Sequence, residues 1–293
     1  MKINMKKFLT LFLLLCSCAA FAQTEKSKVV SDTLYSNILK CNRAFNVYLP
    51  HNYKADADKS YPVLYLLHGY TDDQQMWHKR GHVREVMNNL VRSGQVDEMI
   101  IVMPMAGIAK GETETYHGYF NLPDWKYEDF FFQEFIPAVE SRYRIKADKQ
   151  HRAIAGLSMG GGGSTSYGQK HPDMFCAVYA MSALMGRVPG REISSAKDAK
   201  QYAMWKSAAD NSCVDFVNNA SPQTVEQLKS VNWFVDCGDE DFLLDVNFQF
   251  IKAMRDKGIP MELRIRDGVH DWEYWHSALY ICLPYLDRLF QNR

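Results

Sequence analysis

The sequence predicts a three-layer α/β fold, in which helices cover both faces of a mostly parallel central sheet. Short, continuous apolar runs alternate along the chain with longer amphipathic segments. Continuous apolar runs are typical of strands buried on both faces, and strand–helix alternation favours parallel pairing. The chain has 293 residues, 47% of them hydrophobic, so it can bury a large core. We expect residues 23–293 to form one domain of this class.

Six apolar runs are candidate strands of the central sheet. The first, Val63–Leu67, is uninterrupted and ends at His68-Gly69. The others are Met99–Met103, Arg152–Ala155, Phe175–Ala180, Val231–Val235 and the alternating residues Met261, Leu263 and Ile265. The segment Val29–Tyr53 precedes them all and predicts extra antiparallel strands at one edge of the sheet.

Three segments are candidate helices, because their apolar residues recur at helical spacing. They are Tyr127–Tyr143, Val246–Met254 and Trp272–Phe290. Pro137 predicts a kink in the first helix, and Pro284 predicts an interruption in the third.

One long region breaks this alternation. Residues Leu184–Ser230 carry many polar side chains and no strong apolar period, although they lie between two predicted strands. Insertions of this length are typically lids or binding loops. We expect this segment to form a lid-like insertion over the functional site.

The N-terminus has the pattern of an export signal. Lysines at the start are followed by the apolar run Phe8–Leu15 and by the small-residue site Ala20-Phe21-Ala22. Such a segment is too short for a permanent membrane span, so we expect residues 1–22 to be removed on export to the periplasm or the cell exterior. Lipid attachment at Cys18 is an alternative that the neighbouring residues support less well.

Composition and residue spacing exclude several classes of site. Lysine plus arginine and aspartate plus glutamate both number 34, so no basic field indicates a nucleic-acid partner. Cys176 and Cys237 lie in or beside apolar runs, which predicts buried packing residues rather than a disulfide scaffold. His78 and His82 have helical metal-ligand spacing but no acidic partner nearby. We expect neither a metal nor a cofactor.

The stretch Gly156-Leu157-Ser158-Met159-Gly160 predicts a nucleophile elbow. Its surroundings also fit a flexible linker, because Gly160–Gly163 are four consecutive glycines. The context favours the elbow, since Ser158 follows a predicted strand and precedes a segment that could begin a helix. Glycine on either side of the serine gives the sharp turn the space it needs.

A serine nucleophile needs a base, and His270 is the candidate. It follows the last predicted strand, in the stretch Gly268-Val269-His270-Asp271-Trp272. His171 and His276 lie on or after predicted helices, which indicates structural or surface positions.

The acid that orients the base should follow the strand Val231–Val235. Four acidic residues lie there: Asp236, Asp239, Glu240 and Asp241. Their spacing alone does not select one of them. The cluster also fits a solvated loop or a loose calcium site.

An oxyanion hole needs two backbone N–H groups. The N–H of Met159, directly after the nucleophile, is one candidate. Tyr70, in the loop that follows Val63–Leu67, supplies the other. We expect His68 to shape this loop rather than to take part in chemistry.

These motifs together resemble one family of enzymes. The matching stretches are Tyr48-Leu49-Pro50 with Tyr53, Pro62–Gly69, Gly156–Gly161, Cys237-Gly238 with Asp241, and Gly268–Trp272 with Trp275. The chain is similar to the esterase D / antigen 85 group of α/β-hydrolases, and most similar to bacterial feruloyl and acetylxylan esterases of carbohydrate esterase family 1. This resemblance implies that Asp241 is the acid. Gly162-Gly163 and the Leu184–Ser230 segment depart from the family pattern.

The resemblance implies an exported serine esterase that uses Ser158, His270 and Asp241. Its expected substrate is a feruloyl or acetyl ester on a plant polysaccharide, such as xylan, or on its oligosaccharides. Aromatic residues near the predicted rim could stack on sugar or phenolic rings. The candidates are Trp77, Tyr116, Tyr119 and Trp275.

Other activities fit the same motifs. The family resemblance extends to hydrolases of ferric siderophore esters and to acyltransferases, and a small-ester or peptide hydrolase would share the triad. From a different class, a carbohydrate-binding protein could use the same scaffold, because fold does not determine function. The oligomeric state stays open at this stage.

Overall fold

An eight-stranded sheet organises the protein. The computed structural model describes residues 26–107, 118–188, 192–196 and 199–291. The strands are β1 (Lys28–Ser36), β2 (Cys41–Leu49), β3 (Val63–Leu67), β4 (Ile100–Pro104), β5 (Asn121–Leu122), β6 (Trp125–Lys126), β7 (Arg152–Leu157), β8 (Ala177–Met181), β9 (Asn232–Gly238) and β10 (Glu262–Arg266). The main sheet has the order β1-β2-β4-β3-β7-β8-β9-β10, and β5 pairs with β6 in a separate small hairpin.

The pairing directions confirm the predicted sheet. The strands β3, β4, β7, β8, β9 and β10 are parallel, and each overlaps one of the six predicted apolar runs. The strands β1 and β2 form an antiparallel hairpin, and β2 joins β4 in antiparallel fashion. The N-terminal segment therefore extends one edge of the sheet, as predicted.

Helices cover both faces of this sheet. They are α1 (Met76–Lys79), α2 (Val83–Arg92), α3 (Tyr127–Phe130), α4 (Ile136–Arg142), α5 (Met159–Lys170), α6 (Ala199–Asp210), α7 (Cys213–Asn218), α8 (Pro222–Leu228), α9 (Leu244–Asp256) and α10 (Trp272–Phe290). The helices α2 and α10 pack on one face, where Leu64, Leu66 and Tyr179 are buried. The helices α3, α4, α5 and α9 pack on the other, around Tyr65, Val178 and Val235. The three-layer architecture is confirmed.

Pro137 and Pro284, the two prolines in the predicted helices, affect their helices differently. A π-helical turn, Phe131–Phe135, lies between α3 and α4, just before Pro137. Pro137 lacks an N–H group, and in a regular α-helix its ring would clash with the carbonyl one turn earlier. The wider π-helical turn accommodates both features. The interruption expected near Pro284 is wrong, because α10 continues through it. Leu283 and Leu286, on either side of this proline, are fully buried, and this packing holds the helix together.

The segment predicted as an insertion contains three α-helices among its described residues, α6, α7 and α8, and the short 3-10 helix Ile193–Ser195. Its second half packs on the body of the domain. The N–H of Cys213 donates to the carbonyl of Met185 at 2.8 Å, and the Gln169 side chain on α5 donates to the carbonyl of Cys213 at 2.9 Å. The first half, through Leu184, Val188 and Trp205, contributes to the wall of the main cavity.

The predicted leader, residues 1–22, and Cys18 lie outside the described residues. Within the part of the chain that the structure describes, no helix combines the length and the apolar character needed to cross a membrane. Cys176 and Cys237 are buried, as their apolar neighbours predicted.

The consecutive glycines are part of a buried helix, not a linker. All of Gly160–Gly163 lie in the first turns of α5 and are buried. A Cβ on Gly162 would lie 2.1 Å from the carbonyl oxygen of Leu184, and one on Gly163 would lie 2.9 Å from the ring of Tyr119. The two glycines that depart from the family pattern therefore let the Leu184 backbone and an aromatic ring contact the helix directly.

We expect Gly162→Ala to destabilise the protein. Alanine normally favours a helix interior over glycine by about 1 kcal/mol, but overpacking against fixed backbone costs about 1–3 kcal/mol. Because the new Cβ would lie only 2.1 Å from a backbone oxygen, the cost should be near the upper end of this range, and urea denaturation should give a net loss of about 2 kcal/mol in the free energy of unfolding. The control is Gly94→Ala, where the new Cβ meets nothing within 4 Å and only the positive φ of 69° opposes the change. A Gly162→Ala protein as stable as the wild type would contradict the assigned packing.

Candidate active site

Ser158 lies at a sharp turn between a strand and a helix. The strand β7 ends at Leu157, α5 begins at Met159, and Ser158 has φ 53° and ψ −117°. Few residues other than glycine adopt such a backbone, and its occurrence at a serine is typical of a functional turn. A Cβ on Gly156 would lie 2.4 Å from the carbonyl oxygen of Gly160, so the turn cannot hold a larger residue there. The serine side chain is thereby directed away from the sheet into the cavity.

His270 connects Ser158 to Asp241. Its Nε2 lies 3.0 Å from Ser158 Oγ, and its Nδ1 lies 3.0 and 2.8 Å from the two carboxylate oxygens of Asp241. With a proton on Nδ1, the imidazole donates to the carboxylate and its Nε2 accepts from the serine hydroxyl. The structure thus brings together the predicted nucleophile, base and acid, which lie on three different loops at the carboxyl ends of β7, β9 and β10.

The carboxylate of Asp241 is held in its charged form. Burial alone would raise its pKa, but the hydrogen bond and the electrostatic interaction with His270 lower it, as does the Leu243 N–H. The Leu243 N–H donates to Asp241 Oδ1 at 2.8 Å. These contributions together keep the pKa of Asp241 below its usual range.

The other acidic residues of this region have different surroundings. Asp236 is buried on β9 and accepts hydrogen bonds from the hydroxyls of Tyr179, at 2.6 Å, and Tyr274. Asp239 accepts from the Gly268 N–H at 3.1 Å and is exposed, as is Glu240. The predicted cluster is therefore not one site, because Asp236 and Asp241 are turned away from their exposed neighbours toward buried partners.

Two aromatic rings hold the imidazole of His270. The Phe242 ring centroid lies 4.5 Å from that of His270, and the Trp275 ring meets it edge-on at 4.9 Å. Trp275 also lines the cavity, as predicted. This packing limits rotation of the histidine.

His68 shapes the loop that carries Tyr70. Its Nε2 accepts from the Ala106 N–H at 3.0 Å, so the proton lies on Nδ1, which donates to the Gly69 carbonyl at 2.8 Å. Burial lowers the pKa of His68 to about 4, and the ring is therefore neutral near pH 7. Its own carbonyl accepts from the Tyr119 hydroxyl at 3.1 Å.

The two residues predicted for an oxyanion hole lie next to Ser158. Tyr70 lines the same cavity as Ser158, and Met159 is the first residue of α5. The loop approaches the nucleophile closely, since a Cβ on Gly69 would lie 3.8 Å from the Ser158 Cβ. The Asp72 carboxylate packs against the same loop, since a Cβ on Gly69 would lie 3.0 Å from its Oδ2.

The cavity at Ser158 has a volume of about 410 Å³, and both apolar and polar side chains line it. The apolar ones include Leu184, Val188, Trp205, Phe242 and Leu243. The polar ones include Thr71, Asp72, Arg80 and Asp271. The cavity can therefore contact both the apolar and the hydroxylated parts of a substrate.

Two predicted aromatic contacts are wrong. Trp77 is 1% exposed, and its indole N–H donates to the carbonyl of Leu67 beneath the cavity. Tyr119 is also 1% exposed and packs against Tyr127 and Tyr167 in the core. Both rings are needed to fill space between layers. Tyr116 lies outside the described residues.

The sequence prediction missed three aromatic residues of the cavity: Trp205, Phe242 and Trp272. Phe242 follows the acid directly and Trp272 lies two residues after the base, so their proximity to the motifs was an available signal. Nothing in the pattern around Trp205 indicates its position. Among the other histidines, His276 Nδ1 donates to the Gly81 carbonyl at 2.9 Å, which is a structural contact. The ring of His276 also meets that of His82 edge-on.

Comparisons with known proteins agree with this geometry. Residues 36–286 match a family described as "Putative esterase". An endo-1,4-beta-xylanase/feruloyl esterase of Xylanibacter ruminicola is 27% identical over 243 residues, which are 80% of this chain but only 28% of that protein. An acetyl esterase of Caldicellulosiruptor saccharolyticus is 24% identical, covering 89% of this chain and 98% of its own length. A solved structure described as a ferulic acid esterase has a TM-score of 0.85 and 53% identity, covering 90% of this chain and 99% of that one.

The neutral state of His68 predicts a pH dependence of stability. Its pKa is about 4 in the folded protein against an ordinary value of 6.5, so the unfolded chain binds the proton more readily between these values. The contribution to stability is complete above pH 6.5 and is lost as the pH falls toward 4, by at most about 1.4 kcal/mol per pH unit. Urea denaturation at several pH values gives the free energy of unfolding as a function of pH. Between pH 4 and 6.5 this free energy should change less with pH for His68→Gln than for the wild type. His276→Gln, at a half-buried position, is the control, and equal slopes for wild type and His68→Gln would contradict the assignment.

Proposed function

The chain belongs to the esterase family described as "Putative esterase". On that premise we propose that it is a serine esterase acting on feruloyl esters of plant polysaccharides or their oligosaccharides. The observation that supports this most directly is the single imidazole that bonds to both Ser158 Oγ and the Asp241 carboxylate inside a cavity. The 53% identity to a ferulic acid esterase over almost its whole length supports the acyl group.

The proposed reaction is a two-step acyl transfer. His270 Nε2 accepts the Ser158 proton as Oγ attacks the ester carbonyl, and the same proton then passes to the leaving alcohol. Water, deprotonated by His270, attacks the acyl-enzyme and releases the carboxylic acid. Asp241 holds the Nδ1 proton and stabilises the imidazolium that forms in each step.

The proposed oxyanion hole consists of the Met159 and Tyr70 N–H groups. Met159 lies at the N-terminus of α5, where the helix dipole also favours negative charge. Each such donor typically contributes about 3 kcal/mol to the stabilisation of the transition state. The hydrogen bonds of His68 to the Gly69 carbonyl and the Ala106 N–H hold the loop of Tyr70 in place.

The shape of the cavity supports an aromatic acyl group. A volume of about 410 Å³ is far more than an acetyl group fills, and Trp205 and Phe242 line this cavity together with Ser158. Aromatic rings of this kind favour flat, conjugated groups. The polar lining residues Asp72 and Arg80 suit the hydroxyls of the sugar from which the acid is released.

Export is part of the same proposal. The charged, apolar and Ala-x-Ala pattern of residues 1–22 supports removal of a leader and a location in the periplasm or outside the cell. A polymeric cell-wall substrate is accessible there.

A substrate panel tests the proposed activity. The wild type should release ferulate from methyl ferulate and from feruloylated arabinoxylan oligosaccharides faster than acetate from acetylated xylan. Ser158→Ala should lower kcat by about 10⁴-fold or more, with unchanged stability, because the nucleophile is removed. An aryl acetate and a ferric triester siderophore complete the panel. Turnover of the siderophore alone would replace the feruloyl proposal, and binding of xylan oligosaccharides without any turnover would indicate a carbohydrate-binding role.

A second variant tests whether the aromatic side chains that line the cavity bind the acyl group. Trp205→Ala should raise KM for methyl ferulate by about 3- to 10-fold, since the loss of ring contacts weakens binding by about 1 kcal/mol. The values for 4-nitrophenyl acetate, which has a small acyl group, should change by less than about twofold. Tyr202→Ala is a matched control, because Tyr202 is on the same helix but is 47% exposed. Equal effects of Trp205→Ala on both esters would contradict the placement of the acyl group.

A further inference from the structure

We propose that Tyr274 is a positioning residue for this esterase reaction, because its ring and its hydroxyl fix the loop of His270 relative to the sheet. The inference rests on the proposed function, since it assigns a role in holding the proposed catalytic base. Tyr274 lies near the start of α10 and is 2% exposed. No motif in the sequence indicates it.

Tyr274 contacts both ends of the base loop, residues 267–271, which joins β10 to α10 and carries His270. At the strand end, the Arg266 guanidinium donates to the Tyr274 carbonyl at 2.8 Å and lies 3.6 Å from the centroid of its ring. At the helix end, the Tyr274 N–H donates to Asp271 Oδ1 at 2.9 Å. One residue therefore connects the two ends of the loop.

The ring of Tyr274 also lies directly against the backbone of Gly268, two residues before His270. A Cβ on Gly268 would lie 2.4 Å from Tyr274 Cδ2, and the φ of 148° at this position also favours glycine. The end of β9 approaches the same residue, since a Cβ on Gly238 would lie 2.1 Å from the Gly268 carbonyl oxygen. Because Gly268 is in close contact with both the ring and β9, a shift of the ring would displace the base loop.

The hydroxyl of Tyr274 fixes this ring to the sheet. It donates to Asp236 Oδ1, and the hydroxyl of Tyr179 on β8 donates to Oδ2 of the same carboxylate at 2.6 Å. Asp236 and Tyr179 are both 0% exposed. A buried carboxylate that accepts from two donors has a fixed orientation, because turning it would leave a charged oxygen without a partner. The position of the Tyr274 ring is therefore set by β8 and β9.

Two exposed residues also bond to the base loop. The Glu240 N–H donates to the Gly268 carbonyl at 3.2 Å, and the Asp239 carboxylate accepts from the Gly268 N–H at 3.1 Å. Water competes for hydrogen bonds at exposed positions, so these two restrain the loop less than the buried contact with Tyr274. Both also come from the loop that carries Asp241, and they therefore let the two loops move together relative to the sheet.

The geometry of the base is sensitive to such movement. His270 Nε2 lies 3.0 Å from Ser158 Oγ, and a shift of the base loop would change this distance. The rings of Phe242 and Trp275 pack against the imidazole, at centroid distances of 4.5 and 4.9 Å, and so restrain the side chain of His270. A misplacement of about 1 Å in a reacting group can lower a rate by about 100-fold. A residue that fixes the backbone of this loop should therefore affect kcat.

The test compares Tyr274→Phe with Tyr179→Phe. Each variant removes one hydroxyl that donates to the same buried carboxylate, so urea denaturation should show similar losses in the free energy of unfolding. Phenylalanine keeps the ring against Gly268, and the second tyrosine still bonds to Asp236, so both variants should fold. The two differ in that only Tyr274 contacts the base loop through its ring.

The kinetic result should separate the two variants. With an aryl ester that the wild type hydrolyses, kcat should fall by about 10-fold or more in Tyr274→Phe and stay within about twofold in Tyr179→Phe. KM should stay within about twofold in both, because neither tyrosine is among the described residues that line the cavity. Wild-type kcat in Tyr274→Phe, or an equal loss of kcat in both variants, would overturn the positioning role.

A second measurement does not depend on turnover. The proton on His270 Nδ1, hydrogen-bonded to Asp241, gives a low-field ¹H NMR signal that is assigned by its loss in His270→Ala. The signal should shift or broaden in Tyr274→Phe and stay unchanged in Tyr179→Phe. If no ester is hydrolysed by the wild type, the proposed function fails, and an unchanged NMR signal in Tyr274→Phe would separately overturn the positioning role.

Discussion

The close approach of the β7–α5 turn to the end of β3 is the constraint on which the rest of the site depends. A Cβ on Gly160 would lie 2.6 Å from the carbonyl oxygens of Leu67 and His68, so only glycine allows this contact. The nucleophile is thereby placed directly against the loop of Tyr70. The Ser158 carbonyl also accepts the Leu184 N–H at 2.9 Å, which attaches the start of the predicted lid segment to the same turn.

Two buried carboxylates near the site, those of Asp236 and Asp241, have different partners and therefore different roles. Asp236 lies on β9 and Asp241 in the loop that follows this strand, and both are almost fully buried. Two tyrosine hydroxyls bind Asp236, so its carboxylate joins sheet and α10 without contacting a base. Asp241 instead faces His270, whose imidazole stabilises its charge together with the Leu243 N–H. Asp236 and Asp241 are only five positions apart in the chain, yet the first is a structural carboxylate and the second is the proposed catalytic acid.

Much of the fold and of the site could be predicted from the sequence. The apolar runs predicted the six parallel strands, and the antiparallel edge and the three layers are confirmed. The family resemblance drawn from the motifs is also confirmed, by the match over residues 36–286. Ser158 and His270 were predicted because glycine spacing and strand ends are local features. The choice of Asp241 among four acids required the resemblance, because a loop sequence does not show which carboxylate is turned inward.

The sequence by itself determined the strand–helix order, the elbow and the residues able to perform acyl transfer, since all of these depend on local spacing and backbone preference. Only the tertiary structure decided which side chains line the cavity. Trp77 and Trp205 both follow a methionine and precede a basic residue, yet Trp77 is buried in the core near the end of β3 and Trp205 lines the cavity. The contact of Ser182 with Trp275 could not be predicted from the sequence either, because the two residues are 93 positions apart and meet only when β8 and α10 pack.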